Sequence, residues 1–232
     1  MEAIILAGGK AERLGDAAAG RPKALVEVAG KPLVAYQVEQ LAAAGVDRIL
    51  LSCAEGQEEL FREALVQIGP QVVPVGEPEP LGRGGGIRFA AAQRRDEGAA
   101  YALNGDELVD VDLLRLLELH CESGADATIT VVPLRSPFGV VELDDDLVTG
   151  FREAPRLEHW VSCGVYVLGD AALARLPERG DHETTTFPEL AAEGRLRAHR
   201  HEGLWLTVNT PKDLRLAEEH LSANPGWPPG AR

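Results

Sequence analysis

Every residue from 3 to 7 is apolar, and Gly8-Gly9 ends the run. A strand covered on both faces of a parallel sheet reads this way, because neither face alternates with solvent. The pattern predicts a central strand. Pro32 suits the first turn of a helix, where a backbone N–H has no intrahelical partner to lose. Val34, Val38 and Leu41 then recur on one face until Gly45. Another apolar run covers 48–52, so the first unit reads βαβ. The alternation continues with a helix at 58–68, a strand at 72–75, a helix at 87–95, a strand at 99–103 and a helix at 111–122. It predicts an α/β fold, a Rossmann-like, doubly wound and mostly parallel mixed sheet.

The texture changes at Thr128. Runs at 129–132, 139–143, 147–151 and 161–168 read as strands joined by short turns, expected to extend the sheet and wall a site. A helix at 211–221 closes the fold. The remaining Asn-Pro-Gly-Trp-Pro-Pro-Gly-Ala-Arg is rich in turn formers and reads as a loose tail. One domain over 1–222 and a flexible tail over 223–232 are expected, with neither an internal repeat nor an interdomain linker.

Charge narrows the partners. The 232 residues carry 37 acidic and 23 basic side chains, a formal net charge of −14. Such a chain repels polyanions overall, which argues against nucleic acid and anionic membrane surfaces while leaving room for a small anionic substrate at a local basic cluster. Cys53, Cys121 and Cys163 form no CxxC pair and read as reduced core residues. The start has no basic leader and no apolar run approaches about 18 residues, so a cytoplasmic location is expected. Oligomeric state is left open, a homo-oligomer included.

Candidate chemistry begins where the first strand ends. Leu6-Ala7-Gly8-Gly9 runs into Lys10, Arg13, Arg21 and Lys23. Glycines let backbone N–H groups approach phosphate oxygens, and Arg13 and Lys23 supply positive charge for a triphosphate. A Walker loop would need GK[ST] after four residues, which does not follow Gly9. A dinucleotide fingerprint would need an acid about 20 residues on, and Glu55 is much further away. Asn104-Gly105-Asp106 ends another strand, which puts Asp106 at the sheet's carboxyl edge, as a magnesium ligand or as the cap of the next helix. The 80–86 loop opens a helix, so its N–H groups are expected to hold phosphate or base edges. Arg83 there reads as a cation near the triphosphate or as a solvated side chain. Tyr36, Trp160 and Trp205 read as core or rim residues, and His199 and His201 as one face of a solvated strand.

These segments together resemble the sugar-phosphate nucleotidylyltransferases, most closely the heptose and mannose-1-phosphate guanylyltransferase type. The opening signature LAGGxGxRL…PKPLxxVxGxP matches Leu6-Ala7-Gly8-Gly9-Lys10-Ala11-Glu12-Arg13-Leu14 and then Pro22-Lys23-Ala24-Leu25 through Gly30-Lys31-Pro32. Similarity continues through Glu77 to Gly86, Asn104-Gly105-Asp106, Phe138-Gly139-Val140-Val141, Phe151-Arg152-Glu153, Gly164-Val165-Tyr166 and Val208-Asn209-Thr210-Pro211. The resemblance implies an NTP and a sugar 1-phosphate bound at the strands' carboxyl ends, with Mg2+ as cofactor. By it, Leu6, Ala7, Gly8, Gly9, Lys23, Glu77, Gly82, Arg83, Gly84, Asn104 and Gly105 hold the nucleotide. Gly139, Arg152, Glu153 and Gly164 hold the sugar phosphate, and Asp106 with Asn209 the metal.

The chain also departs from the family. Where members often carry Glu-Lys-Pro it has Glu153-Ala154-Pro155, so the usual phosphate-holding lysine is missing and Arg152 or Arg156 must replace it if either points inward. The frequent Trp-x-Asp-x-Gly-Thr-Pro appears as Trp205-Leu206-Thr207-Val208-Asn209-Thr210-Pro211. Asn209 is then either the second metal ligand, as in N-acetylglucosamine-1-phosphate uridylyltransferases, or a cap of the helix at Pro211. The expected reaction is in-line attack of a sugar-1-phosphate oxygen on the α-phosphorus with pyrophosphate leaving, and no general base, since the nucleophile is already an anion. GTP is favoured because Glu77, at the family's base-reading position, only accepts hydrogen bonds and guanine offers two donors. UTP or dTTP use, an NAD-linked oxidoreductase and a non-catalytic nucleotide sensor are the rival readings.

Overall fold

The structure is a computed structural model and describes residues 1–18, 20–224 and 226–227. In chain order its elements are β1 (Glu2–Leu6), β2 (Glu27–Val28), β3 (Lys31–Pro32), α1 (Leu33–Ala43), β4 (Arg48–Ala54), α2 (Glu58–Leu65), β5 (Gln71–Glu77) and α3 (Gly82–Ala91). There follow β6 (Ala100–Asn104), β7 (Glu107–Val109), α4 (Leu113–Ser123), β8 (Ala127–Arg135), β9 (Val140–Asp144), β10 (Leu147–Arg152) and β11 (Arg156–Leu168). The chain ends with α5 (Asp170–Arg175), α6 (Thr186–Ala192), β12 (Leu196–Arg200), β13 (Trp205–Thr207) and α7 (Pro211–Ala223).

Seven strands form the main sheet in the order β12-β8-β11-β6-β1-β4-β5. β1 pairs in parallel with β4 and β6, while β11 runs antiparallel to both β6 and β8. The apolar run of β1 divides by parity, as a strand buried on both faces must. Ala3 and Ile5 pack with Val34, Val38, Leu41, Phe61 and Leu116 on one side of the sheet. Ile4 packs with Ile87, Ala90, Leu173 and Leu190 on the other. Fully burying an Ile contributes about 1.5–3 kcal/mol, so β1 anchors both layers. Among the described residues no helix is long and apolar enough to cross a membrane.

Three expectations change, and two helices appear that the sequence pattern does not predict. The runs at 139–143 and 147–151 do not extend the sheet: β9 and β10 pair only with each other, as a separate hairpin. Their apolar residues alternate on one side, Val141 opposite Phe151 and Leu143 opposite Val148, while Glu142 and Arg152 bond on the other. The third helix starts at Gly82, ahead of the predicted 87, because Gly82, with φ of +79°, opens it. α5 and α6 fall in stretches whose apolar pattern is too short to read. Cys121 is exposed, whereas Cys53 and Cys163 are buried and burial pushes both thiols up to about 12.

Most of the expected loose tail lies outside the described residues. Trp227 is described, and its indole N–H donates to the Tyr36 carbonyl oxygen (3.3 Å) rather than standing free. It joins a third apolar cluster that packs α7 residues Ala217 and Leu221 against Leu14, Val28, Tyr36, Leu108 and Val208. That packing draws the segment before α7 toward the end of β6.

Candidate active site

β1 and β6 are neighbours, but their chain connections leave in opposite directions along the sheet. β1 feeds α1 and β4, and β6 follows from the far side. The carboxyl ends of such a pair open a crevice, since the loops part there. The crevice is present: a cleft of about 980 Å3 lined by Leu6, Ala7, Gly8 and Gly9 at the end of β1, Glu77 from β5, Gly82 and Arg83 from α3, and Asn104 to Glu107 at the end of β6. Gly105 donates its N–H to the Leu6 carbonyl oxygen (2.8 Å). A Cβ on Gly105 would collide with that same oxygen. Glycine is therefore required where the two loops touch.

Lys23 lies on the floor of this cleft. Its backbone N–H donates to the Gly9 carbonyl oxygen (3.3 Å), and its stem runs past Gly9, whose Cβ position is 3.9 Å from the Lys23 Cδ. Its ammonium donates to Asp106 Oδ2 (2.6 Å) and to Asn209 Oδ1 (2.5 Å). The Lys23 side chain is 9% exposed and that of Asp106 35%. Residues 23, 106 and 209 thus converge on one point although 186 positions separate the outermost two.

Two features bring Asn209 there. β13 pairs antiparallel with β7, Thr207 opposite Glu107, and Val208 N–H donates to the Asp106 carbonyl oxygen (3.1 Å). The helix cap is supplied by a different residue. Thr210 is the N-cap of α7 in a capping box: its side chain accepts from Asp213 N–H, and the Asp213 carboxylate accepts from the Thr210 N–H. The Asn209 side chain does not cap the helix and points its oxygen at Lys23. Thr207, at the family's aspartate position, faces Glu107 across the ladder.

A carboxylate and an amide oxygen held around one cation form the hard-oxygen donor set that suits Mg2+, which keeps one or two protein groups and fills its octahedron with water and phosphate. The Lys23 ammonium stands in for that cation in the structure. Asp106 and Asn209 therefore fit a magnesium site.

Glu77 sits between the Gly8 turn and α3. Its Oε1 accepts from the Ser52 hydroxyl (2.6 Å) and its Oε2 from Leu81 N–H (3.1 Å), and a Cβ on Gly86 would lie 2.7 Å from Oε1. The carboxylate is fixed in place by these two donors and lines the cleft.

Several predicted contacts are placed differently. The N–H groups of Gly84 and Gly85 do not face open solvent; both donate to the Gly180 carbonyl oxygen (2.9 and 3.3 Å). The glycine run exists because the 177–182 loop presses on α3: a Cβ on Gly84 would lie 2.8 Å from His182 N and from Pro177 Cγ. Arg83 lines the cleft but is paired with Asp181 (2.8 Å from Nε) and Glu183 (2.8 Å). Arg13 is exposed and lies outside the lining. Arg152 bonds Glu142 on the hairpin, and Arg156 bonds Glu202 and stacks on Trp160, so neither aims into the cleft. Gly139 and Glu153 meet at the hairpin's base, the Gly139 Cβ position being 3.1 Å from Glu153 Oε2. Gly164, with φ of +70°, is pressed against Asn104 and Glu107.

Two further residues of the site, Gln37 and Gln40, carry no sequence signal. Gln37 of α1 donates to the carbonyl oxygens of Asn104 (2.7 Å) and Glu107 (2.6 Å), and Gln40 to those of Val109 and Val111. These two amides, one turn apart on α1's buried face, clamp the loop that presents Asp106. Glu107 accepts from the Trp205 indole N–H (2.9 Å), so Trp205 has a polar role beyond the rim. Burial, reinforced by the adjacent Asp106 carboxylate, pushes the Glu107 carboxyl up to about 7. His201 bonds Asp110 (2.6 Å) rather than facing solvent.

Comparison with known proteins places this geometry. The pattern that defines the Nucleotidyl transferase family matches residues 2–224. The chain belongs to the nucleotidyl transferase family. It is 32% identical to the mannose-1-phosphate guanylyltransferase catalytic subunit beta of Danio rerio, over 98% of this chain and 69% of that protein. It is 31% identical to mannose-1-phosphate guanylyltransferase 1 of Arabidopsis thaliana, over 95% of this chain and 66% of the relative. The chain spans between 60% and 69% of the length of the curated relatives it matches. HddC from Yersinia pseudotuberculosis, solved with GMP-PN, shares the fold with a TM-score of 0.72 at 24% identity, covering 95% of this chain and 99% of HddC. A Bacillus anthracis protein described as a glucose-1-phosphate thymidylyltransferase shares it with a TM-score of 0.76 at 17% identity, covering 95% of each chain. The family resemblance and the mixed, mostly parallel sheet expected from the sequence both hold.

Proposed function

We propose that this nucleotidyl transferase condenses a sugar 1-phosphate with GTP, giving GDP-sugar and pyrophosphate. The observation that carries this reading is the meeting of Lys23, Asp106 and Asn209 beneath the Gly8-Gly9 turn, at the crevice where β1 and β6 part. The relatives named for mannose 1-phosphate make that sugar phosphate the first to test.

In the reaction, the sugar-phosphate oxygen attacks the α-phosphorus in line and the bond to the β-phosphate oxygen breaks. The nucleophile is already anionic, so the chain has no proton to remove; it aligns the substrates and neutralises charge. The Gly8 and Gly9 turn admits phosphate close to the backbone, and Lys23 meets the charge that develops on the transferring phosphoryl group. Arg13, exposed and outside the cleft lining, would have to turn inward to meet the leaving pyrophosphate. Asp106 and Asn209 would hold Mg2+, which when bound supplies charge neutralisation across the phosphates. Glu77 accepts from the two donors of the guanine edge. Glu153, Gly139 and Gly164 belong to the sugar side.

The test is product formation with a panel of NTPs and sugar 1-phosphates, read as nucleotide sugar by mass and as released pyrophosphate. Faster turnover with UTP or dTTP would move the chain to uridylyl or thymidylyl transfer. NTP binding without product would make it a sensor.

A further inference from the structure

The two oxygens that suit a divalent cation already share a cation, the Lys23 ammonium. In the structure they hold Lys23 at 2.6 and 2.5 Å, and the Lys23 side chain is 9% exposed. An ammonium that deep, bonded to a carboxylate and an amide oxygen, is a counter-ion with little water to replace its partners. The Lys23 ammonium therefore occupies the position between the two oxygens that a metal ion would take.

We propose that Lys23 is the resident counter-ion of the Asp106–Asn209 pair, and that the incoming triphosphate draws its ammonium away so that metal and nucleotide are taken up as one unit. The inference rests on the reading of Asp106 and Asn209 as metal ligands. It adds an order of binding: divalent metal alone binds poorly, and metal with nucleotide binds well.

The residue's anchoring makes the exchange local. The Lys23 backbone is tied to Gly9 and its stem lies along the glycine turn, so only the end of the side chain has to move. The turn is also where phosphate oxygens approach the backbone. When Lys23 turns from Asp106 to a phosphate it exchanges one oxyanion for another, and its charge is never left unpaired. Asp106, relieved of its ammonium, is then free to take the metal that travels with the triphosphate. Without nucleotide, metal entering the site would strand a buried ammonium beside a second cation, and that is the unfavourable state.

Mn2+ binding to the nucleotide-free protein, followed by electron paramagnetic resonance, tests this without any catalysis. Lys23→Met keeps the apolar stem and removes the charge. It is expected to bind Mn2+ at least about 10-fold more tightly than the wild type, and Asp106→Asn in the same background is expected to remove the gain. A Lys23→Met titration that overlays the wild-type curve, or lies on its weak side, overturns the proposal. Should the variant fail to fold, the wild-type protein decides. The chain has four lysines, so the 15N-labelled Lys23 ammonium can be followed directly. Its resonance is expected to stay put with Mg2+ alone and to move when Mg2+ is added with an unreactive NTP analogue. Movement with Mg2+ alone overturns the proposal. Failure of the enzymatic reading shows separately, as absence of nucleotide sugar in the product assay.

Discussion

Replacing Asn209 by Ala separates a metal ligand from a structural residue. The lost contact is one hydrogen bond to a charged donor, Lys23, at 2.5 Å. Such bonds contribute about 1.5–3 kcal/mol, and the only partly buried Asn209 side puts this one near the lower figure. For a chain of this size that lowers the melting temperature by roughly 3–6 °C. Thr210→Ala, one residue on, removes the N-cap of α7 and costs about 1 kcal/mol, or roughly 2–4 °C. Melting alone does not separate the two variants. The magnesium requirement does, because partners only indirectly bonded to a metal already change its affinity by about 10- to 100-fold. With saturating NTP and sugar phosphate, Asn209→Ala should need at least about 10-fold more Mg2+ for half-maximal pyrophosphate release. Asn209→Asp should restore the wild-type requirement, and Thr210→Ala should not alter it. Titration curves that coincide for the wild type and Asn209→Ala, or that shift equally for Thr210→Ala, refute the assignment.

Other perturbations test the surrounding structure. Glu77→Gln should lower the ratio of kcat/KM for GTP over UTP by about 10-fold or more, since a bidentate acceptor on a base edge contributes about 1–3 kcal/mol; an unchanged ratio removes Glu77 from base reading. Burial holds the His182 imidazole down at about 4, and neither ring nitrogen has a hydrogen-bond partner among the described residues. The unfolded chain therefore binds the extra proton between about pH 6.5 and 4, and stability falls as pH drops through that window. His182→Phe should abolish this slope, stabilising the protein by about 2 kcal/mol more at pH 5 than at pH 8 in urea unfolding; equal gains at the two pH values would contradict the burial argument. Gly84→Ala would raise melting temperature if the helix merely needed a better former. Against His182 N and Pro177 at 2.8 Å it should instead destabilise by about 1–3 kcal/mol.

What could be read without the structure follows the range of the forces involved. β1 and β6 are legible because burial on both faces makes a continuous apolar run, and their carboxyl ends then place Lys23 and Asp106. Asn209 was reachable only as a choice between ligand and cap. That choice depends on Thr210 and Asp213 completing a capping box and on β13 lying against β7. The glycines of α3 are ambiguous in sequence for a similar reason. A Gly run before a helix has the same appearance whether phosphate or a neighbouring loop comes close, and here it is Gly180. Gln37 and Gln40 face inward on α1 among apolar residues, and no periodicity distinguishes a buried amide that clamps a distant loop from a surface one. The β9–β10 hairpin has the alternation of a sheet strand, but its apolar side is exposed, Leu143 at 61% and Phe151 at 65%. Alternation reports two faces and not what covers them.

In the proposed reaction Lys23, Asp106 and Asn209 together serve transfer of a nucleotidyl group to a sugar phosphate. Incubating the protein with GTP, mannose 1-phosphate and Mg2+, beside Lys23→Ala under the same conditions, tests it most directly. GDP-sugar and pyrophosphate are expected in equal amounts from the wild type, with kcat/KM lower by about 10²-fold or more in the folded variant, the loss typical of a preorganised electrostatic contact. Near-normal turnover by a folded Lys23→Ala protein, or pyrophosphate absent from the wild type with every NTP and sugar phosphate tried, would contradict it.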